Sequence, residues 1–599
     1  MAWYDEAVFY HIYPLGLAGA PKQNDYGEPV HRLNTLLPWV DHIKEIGGSA
    51  LYIGPLFESV GHGYETTDYK KLDSRLGTNE DLTAFVAYCH EQGIKVIFDG
   101  VFNHTGRDFF AFKDIQANRE NSHYKDWYCN VNFWGNNEYN DGFSYDNWGG
   151  YNLLVKLNQK NPAVVDYICD VIRFWVSEFD VDGIRLDAAD VLDFDFMKAL
   201  RRTANEVKPD FWLMGEVIHG DYSRWVNGET LHSVTNYTLH KALYSGHNDH
   251  NYFEIAHTVR RLQNMGTLKL YNFVDNHDVE RIYTKLTNKA HFAPVHVLLY
   301  TLPGVPSIYY GSEFGIEGRK EYGSDDSLRP ALNIEDYKDS VKTNPCTALI
   351  AALGKVRQAV PALSYGSYDE LMLTNRQFAY ARDLDGTRVI VSVNNDDAPA
   401  GMHLAAGNCT AYIGALSGEK VSVQDGHINI TQPGGSGEIW VPDGTDLDVK
   451  PVKVVTKTES EAKTNTEDKA ASETATDAKG NKEAEPKIES KESKDIVTAT
   501  ESADAKKNTT NTEKNISAAN EVKDSAKDAS AQAAADTPVD PETITVDWSK
   551  SPESMTVPEL QAAILAKLAG NGPVDAQMKK TVTDNIWHDS LVNWLKSFR

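Results

Sequence analysis

Three carboxylates stand at the ends of short apolar runs in this chain. Asp187 ends GIRLD, Glu216 ends LMGE, and Asp278 ends FVDNHD. Runs of this length and composition are typical of β-strands that are buried in a core. Burying a charged side chain costs free energy unless the charge is paired or used. These carboxylates therefore indicate either buried ion pairs or a reactive site.

The same regions carry further polar side chains that could share in chemistry: Asn103, His104, Arg185 and His277. Arg185 and Asp187 are two residues apart, so both side chains point to one face of a strand. Carboxylates, imidazoles and a guanidinium, without a Ser or Cys nucleophile among them, suit cleavage of a glycosidic bond. That reaction uses one carboxylate as the nucleophile and one protonated carboxyl as the acid. Burial and mutual repulsion push the pKa values of two such carboxyls apart, which keeps one of them protonated.

The elements that must position these residues are short apolar runs that alternate with helical segments. The predicted strands are 8–15, 49–56, 95–102, 181–188, 211–217, 233–239, 270–278 and 306–314. Two of the intervening helices are predicted at 79–93 and 162–179. Eight strands separated by helices predict a (β/α)8 TIM barrel, which we assign to residues 1–360. The strand ends of such a barrel converge on one mouth, so the candidate residues are expected to meet there.

Two further segments differ from the barrel pattern. Residues 105–158 are rich in Asn, Gly, Asp, Trp and Tyr. They are too many for a simple loop, so they predict an inserted domain after the third strand, on the same side as the mouth. Residues 361–446 contain short strand-like runs separated by Gly, Asp and Asn. This pattern predicts an all-β sandwich domain.

The last part of the chain has a different composition again. Within 447–545, the stretch from Pro451 to Asp540 contains no Phe, Trp, Tyr or Leu, which predicts a disordered linker. Residues 546–599 predict a small helical module, because TVPE at its start fits a capping box. Trp587 and Trp594 lie on one helical stripe of this module. The stripe is expected either to dock a protein partner or a second copy of the chain, or to pack within the module.

Composition excludes several classes of partner. The 599 residues carry a formal net charge of −27 and show no basic stripe, so no nucleic-acid partner is expected. No run of 18 apolar residues is present, so no membrane span is expected. The five scattered cysteines, without metal-ligand spacing, predict reduced thiols. Since the N-terminus lacks the pattern of a signal peptide, we expect a cytoplasmic protein.

Four of the segments resemble a known family when they are taken in order. DGVFNH, GIRLDAAD, GEV and FVDNHD are similar to the signature segments of the α-amylase family of retaining glycoside hydrolases. HGYETTDY (62–69), VKLN (155–158) and GVPSIYYGSEFG (304–315) extend the resemblance over about residues 3–445. Within the family, the chain looks most like the neopullulanase, cyclomaltodextrinase and maltogenic amylase branch. It differs from that branch at Ile218, where a Trp is expected two residues after the acid.

The resemblance implies a role for each residue that matches a motif. Asp187 would be the nucleophile, and Glu216 would be the general acid and then the base for water. Asp278 would hold sugar hydroxyls and stabilise an oxocarbenium-like transition state. Arg185 would keep Asp187 ionised through its opposite charge.

The resemblance also implies contacts with sugars, made by the substrate-binding residues Tyr64, His104, Arg185, His277, Asp325 and Arg329. A surface ion pair is the alternative for Asp325 and Arg329. No cofactor is required, and a structural calcium ion is left open. Asn103 would be either a ligand of that ion or a hydrogen-bonding partner of the loop that frames the site. Secreted α-amylases carry a Lys-His pair shortly after the nucleophile, whereas this chain has Asp190 and Val191 there. This difference is the reason why the calcium ion is left open.

The family implies hydrolysis of α-1,4-glucosidic bonds through a covalent glycosyl-enzyme. The expected substrates are α-glucan oligosaccharides, namely maltooligosaccharides, cyclodextrins and starch fragments. An exo-α-glucosidase or a transglycosylase would use the same site. An alternative of another class is a catalytically inactive amylase-like binding or assembly protein. Such a protein would lack part of the carboxylate set, whereas all three carboxylates are present here.

Overall fold

The computed structural model describes residues 2–266, 268–321, 324–449, 451–452, 546, 550–552, 555–569, 582 and 595. The described residues fall into two units, one within 1–495 and one within 496–599. Most of the predicted linker lies outside the described residues, as do Trp587 and Trp594. Among the described helices, none combines the length and the apolar character that crossing a membrane requires.

Strands and helices alternate through the first part of the chain, and both are numbered in chain order. The strands are β1 (Phe9–Ile12), β2 (Ala50–Ile53), β3 (Phe57–Ser59), β4 (Thr66–Leu72), β5 (Lys95–Gly100), β6 (His104–Thr105), β7 (Asn147–Trp148), β8 (Tyr151–Lys156), β9 (Gly183–Leu186), β10 (Trp212–Gly215), β11 (Ser233–Val234), β12 (Tyr271–Asn272) and β13 (Val305–Tyr309). The helices are α1 (Pro14–Leu17), α2 (Leu37–Glu45), α3 (Asn79–Glu91), α4 (Phe110–Asn118), α5 (Pro162–Phe179), α6 (Phe194–Val207), α7 (Tyr237–Asn248), α8 (Tyr252–Asn264), α9 (Ile282–Lys285), α10 (Phe292–Thr301), α11 (Ser340–Thr343), α12 (Pro345–Ala359) and α13 (Ala362–Tyr365).

Eight of the strands form one parallel sheet in the order β11-β10-β9-β5-β2-β1-β13-β12. A parallel bridge between Thr235 and Tyr271 joins the two edges, so the sheet closes into a barrel. The predicted (β/α)8 barrel is therefore confirmed, and each predicted strand overlaps one observed strand. The observed strands are shorter, because the polar residues that follow them leave the sheet and build the mouth.

Apolar side chains fill the inside of the barrel, with Phe9 and Trp212 stacked at 5.0 Å between ring centroids. Helices cover the outside, and α5 shows why they form where the sequence predicts. The Asn161 side chain accepts a hydrogen bond from the Ala163 backbone N–H, and Pro162 occupies the first helical position. The helix then buries Trp175 against the sheet. It ends at Asp180 in a left-handed conformation and leads directly into β9.

The segment inserted after β5 forms a small layer of its own beside the mouth. It contains α4 and a three-stranded sheet in the order β6-β8-β7. His104 in β6 is paired with Lys156 in β8, so this sheet begins at a predicted site residue.

An all-β domain follows the barrel helices, as predicted. Its strands are β14 (Ser367–Leu373), β15 (Gln377–Leu384), β16 (Thr387–Asn394), β17 (Ala400–Ala405), β18 (Ala411–Gly414), β19 (Lys420–Ser422), β20 (His427–Gln432) and β21 (Ser436–Pro442). A six-stranded sheet, β14-β15-β16-β21-β18-β19, packs on the pair β17-β20 over a shared apolar cluster. The chain stays attached beyond β21, since Val452 N donates to Leu416 O over 2.8 Å. The domain boundaries at 360 and 446 stay predictions.

The second unit contains helix α14 (Val557–Ala569). Glu559 accepts hydrogen bonds from the backbone N (2.7 Å) and Oγ1 (2.9 Å) of Thr556, which places the capping residues as the sequence predicts. Leu560 and Ile564 of this helix share an apolar cluster with Leu595. The stripe of Trp587 and Trp594 lies outside the described residues, so both alternatives for it stay predictions.

Candidate active site

The predicted carboxylates meet at the carboxyl end of the barrel. Asp187 follows β9 and Glu216 follows β10, and these strands are neighbours in the sheet. Backbone hydrogen bonds continue past the strands, with Asp187 N donating to Gly100 O (3.1 Å) and Glu216 N donating to Leu186 O (2.9 Å). The sheet register thus sets both carboxylates side by side at the mouth.

One guanidinium contacts three of the carboxylates at this mouth. Nη1 of Arg185 donates to Oδ1 of Asp187 and to Oδ1 of Asp99, each over 2.9 Å. Nη2 lies 3.0 Å from Oε2 of Glu216. Arg185, Asp187 and Glu216 are 3%, 8% and 9% exposed, so these contacts are largely shielded from water. Arg185 thus lies within hydrogen-bonding distance of Asp187, and Asp99 of the DGVFNH segment belongs to the same group. That Arg185 keeps Asp187 ionised stays a prediction.

The electrostatics of this group favour retention of a proton. Burial raises the pKa of Asp187 above its usual range, and Glu216 and Asp99 add to that shift. Arg185 opposes the shift, as the sequence suggested, but burial outweighs it. Burial also raises the pKa of Asp99, again against the effect of Arg185. Burial thus favours the protonated forms of Asp187 and Asp99, while Arg185 favours their ionised forms.

Asp278 lies on the wall of the mouth that follows β12, and two side chains hold it. Its Oδ1 is 3.1 Å from Nη2 of Arg329, and its Oδ2 is 3.1 Å from Nε2 of His277. Arg329 also donates from Nε to the His277 carbonyl (3.0 Å) and from Nη2 to Oδ2 of Asp325 (3.0 Å). The Arg329 side chain is only 13% exposed and lies over the Tyr13 ring. Asp325 and Arg329 do form an ion pair, but it belongs to the wall that holds Asp278.

Tyr64 links this wall to the carboxylate group. Its hydroxyl lies 3.1 Å from Oδ2 of Asp99 and 2.5 Å from Nε2 of His277. The Tyr64 and His277 rings are nearly parallel, with 5.7 Å between their centroids. Tyr64 and His277 therefore lie at the mouth as expected, and they contact each other. Their contact with sugar stays a prediction.

His104 is buried beneath the Tyr64 loop. Its Nε2 is 3.1 Å from Tyr64 O, and its Nδ1 is 3.2 Å from Nδ2 of Asn103. Burial lowers the pKa of His104 to about 3, so the ring is neutral. With Nδ1 accepting from the Asn103 amide, Nε2–H donates to the Tyr64 carbonyl. His104 thus supports the loop that carries Tyr64.

One observation at Asn103 bears on the calcium alternative. Oδ1 of Asn103 is buried and has no hydrogen-bond partner. An amide oxygen of this kind is a suitable ligand for calcium. However, the described residues contain no group of three or more His, Cys, Asp or Glu side chains that could hold a metal. A single amide oxygen does not make a site, so calcium binding stays a prediction.

The sequence missed several residues that shape the site. Tyr52 donates to Oδ2 of Asp99 over 2.8 Å, and Tyr237 donates to Oε1 of Glu216 over 3.3 Å. Ala188 adopts a positive φ of 46° and donates its backbone N–H to Oε2 of Glu216 (3.2 Å). A signal for Tyr237 was present, because it follows the sixth strand as the other site residues follow theirs.

Comparisons with known proteins agree with this architecture. Residues 32–355 match a family model described as the alpha-amylase catalytic domain. A cyclomaltodextrinase from a Bacillus species is 31% identical over 422 residues, covering 66% of this chain and 74% of the relative. An intracellular maltogenic amylase from Bacillus subtilis is 28% identical over 418 residues, covering 65% and 69%. A solved cyclomaltodextrinase structure superposes with a TM-score of 0.66 at 27% identity, covering 73% of this chain and 78% of that one.

Proposed function

The chain belongs to the α-amylase family of glycoside hydrolases, and from this premise we propose that it cleaves α-1,4-glucosidic bonds with retention of configuration. The proposed substrates are maltooligosaccharides, cyclodextrins and starch fragments. The observation that carries the proposal is the contact of both Asp187 and Glu216 with the guanidinium of Arg185. This contact sets a nucleophile and an acid side by side in a buried group.

The proposed reaction has two steps. In the first, Asp187 attacks the anomeric carbon in its ionised form, which the charge and the hydrogen bond of Arg185 favour, while Glu216 donates its proton to the leaving oxygen. This gives a covalent glycosyl-enzyme. In the second, Glu216 removes a proton from water, and the water oxygen displaces Asp187 from the sugar. Asp278 stabilises the positive charge that develops on the sugar ring in both steps. The ion pair with Arg329 and the contact with His277 hold Asp278 in place.

We also propose a cytoplasmic location and no cofactor in the chemistry. The five cysteines are all free thiols, as expected for a reducing compartment. One of the relatives is named an intracellular maltogenic amylase. A catalytically inactive protein is not supported, because the carboxylates are all present and converge.

The test is product analysis with purified protein. Maltotriose, maltoheptaose, β-cyclodextrin, pullulan and starch are each incubated with the enzyme, and the products are separated by chromatography. Proton NMR of early products follows the anomer that is released first. We expect oligosaccharide products with the α-configuration, and none from the Asp187→Asn variant. Release of the β-anomer first would contradict the retaining mechanism, and absence of any product would contradict the function.

A further inference from the structure

Tyr237 is the first residue of α7 and reaches the site from the sixth barrel strand. Two hydrogen bonds hold the side chain of the preceding residue, Asn236. Its Oδ1 accepts from Leu239 N (3.1 Å), and its Nδ2 donates to Oδ1 of Asn272 (2.9 Å). The Tyr237 ring packs edge-on against Phe273, with 4.9 Å between the centroids. The position of the Tyr237 hydroxyl is therefore determined by the barrel wall and does not depend on a substrate.

The two oxygens of Glu216 have different partners. Oε2 faces Nη2 of Arg185 at 3.0 Å and the backbone N–H of Ala188 at 3.2 Å. Both partners can only donate, so a proton on Oε2 would face their N–H hydrogens and would find no acceptor. Oε1 accepts from the Tyr237 hydroxyl alone among the described residues, which leaves its second lone pair open for a proton. The proton that Glu216 transfers therefore belongs on Oε1.

Asn276 determines the direction of the Tyr237 hydroxyl. Nδ2 of Asn276 donates to the phenolic oxygen over 3.2 Å. Because that oxygen accepts from Asn276, the hydroxyl hydrogen is left to point at Glu216. Burial raises the pKa of Tyr237 well above its usual value, and the charges of Glu216 and Asp278 raise it further. The hydroxyl is thus a permanent donor and does not relay protons.

We propose that Tyr237 is a positioning residue for the acid of this reaction. In the protonated enzyme, Oε1 accepts from the Tyr237 hydroxyl through one lone pair, and its own proton points into the mouth. When that proton passes to the glycosidic oxygen, the electron pair stays on Oε1 and keeps the hydrogen bond from Tyr237. Water returns a proton to Oε1 in the second step. This inference rests on the proposed function, because it takes Glu216 as the acid and then the base.

A positioning role for Tyr237 predicts kinetic effects that a purely structural role does not. Removing the hydroxyl withdraws one hydrogen bond from a carboxylate, which lowers the rate of the acid-assisted step by about tenfold to a hundredfold. The loss is expected on maltoheptaose, whose leaving group needs a proton. It is expected to be much smaller in the first step on a 4-nitrophenyl α-maltoside, whose phenolate leaves without one. The alkaline limb of the pH profile of kcat/KM is expected to move to higher pH. Without the Tyr237 hydroxyl, the ionised form of Glu216 loses a hydrogen-bond donor and is less favoured.

The experiment compares Tyr237→Phe with Tyr222→Phe and with Glu216→Gln. The Phe variant of Tyr237 keeps the ring against Phe273, so thermal unfolding midpoints are expected to stay close to the parent protein. Tyr222 is the matched control, because its buried hydroxyl contacts Oγ1 of Thr238 at 3.0 Å and does not contact the carboxylates. We expect the substrate-dependent loss and the shifted alkaline limb in Tyr237→Phe alone.

The outcomes separate this inference from the function on which it rests. If Glu216→Gln keeps the parent rate on maltoheptaose, the proposed function fails. If Glu216→Gln is inactive and Tyr237→Phe matches Tyr222→Phe in both readouts, only the role of Tyr237 is overturned. An equal loss of Tyr237→Phe activity on both substrates, with an unmoved alkaline limb, would also overturn it.

Discussion

Arg329 donates from Nη2 to Oδ1 of Asp278 over 3.1 Å, although 51 positions separate the two residues in the chain. We predict that Arg329→Lys lowers kcat on maltotriose by about tenfold or more. A lysine keeps the charge but has no planar fork, so it cannot contact Asp278, Asp325 and the His277 carbonyl together.

The control for this prediction is Arg173→Lys, which alters a solvent-exposed pair with Glu206. Exposed ion pairs contribute little, so the control is expected to keep full activity and stability. Initial rates with maltotriose over a range of concentrations separate kcat from KM. Parent-like kcat in Arg329→Lys would show that Asp278 needs no support from this side chain.

The positions of residues at strand ends predicted which side chains form the site. The contacts between those side chains were not predictable from the sequence. Asp187 and Glu216 were identifiable because each directly follows an apolar strand, and register alone places neighbouring strand ends together. The contacts of Tyr237 with Glu216 and of Arg329 with Asp278 depend on side-chain rotamers and on the paths of long loops. Neither leaves a periodic signal in the sequence.

Strand lengths show a second limit. The sequence predicted a strand over 270–278, whereas β12 covers only Tyr271–Asn272. FVDNHD is apolar enough to look like sheet, but its backbone turns where Oδ1 of Asn276 accepts from Asp278 N and Val279 N. A turn made by a side chain in this way presents Asp278 to the mouth, and periodicity does not reveal it.

Asp187→Asn is predicted to abolish hydrolysis and to leave the fold intact. The amide is nearly the same size as the carboxylate and can still accept from Nη1 of Arg185. It cannot attack the anomeric carbon, so we expect a loss of kcat of at least about 10⁴-fold. The measurement pairs activity on maltoheptaose with the thermal unfolding midpoint. Substantial remaining activity in a folded variant would mean that Asp187 is not the nucleophile.

Buried histidines make the stability of the barrel sensitive to acid, and His247 offers the test. Its Nδ1 is 2.6 Å from Leu243 O, and its Nε2 lies 3.2 Å from the Tyr252 hydroxyl. Burial lowers the pKa of His247 to about 3, from about 6.5 in the unfolded chain. A lowered pKa means that the unfolded state binds more protons, so the contribution is present above pH 6.5. It is lost progressively as the pH falls toward 3.

We therefore predict that His247→Gln lowers the unfolding midpoint at pH 7.5 but flattens its fall between pH 6.5 and 4. The thermal midpoint is followed by tryptophan fluorescence at each pH. His403→Gln is the matched control, because His403 is exposed and bonded to Asn429 on the β17-β20 pair. Parallel midpoint curves for the parent protein and His247→Gln would contradict the assignment.

The tail after the β-domain is predicted to be dispensable for chemistry. The candidate site is built from residues between Tyr13 and Arg329, and the predicted linker lacks a core-forming composition. Leu447, Val449 and Val452 nevertheless pack against the core of the first unit. We therefore predict that a chain shortened to end at Val452 keeps kcat on maltotriose within about twofold, since every described residue of the candidate site is retained.

A chain shortened to end at Asp446 is the matched comparison, because it also removes those three apolar side chains. We expect it to unfold at a lower temperature than the longer truncation, since it exposes the surface that they cover. Light scattering on the full chain and the Val452 truncation tests whether the C-terminal module drives self-association. A tenfold lower kcat on maltotriose in the Val452 truncation would show that the module contributes to the active site.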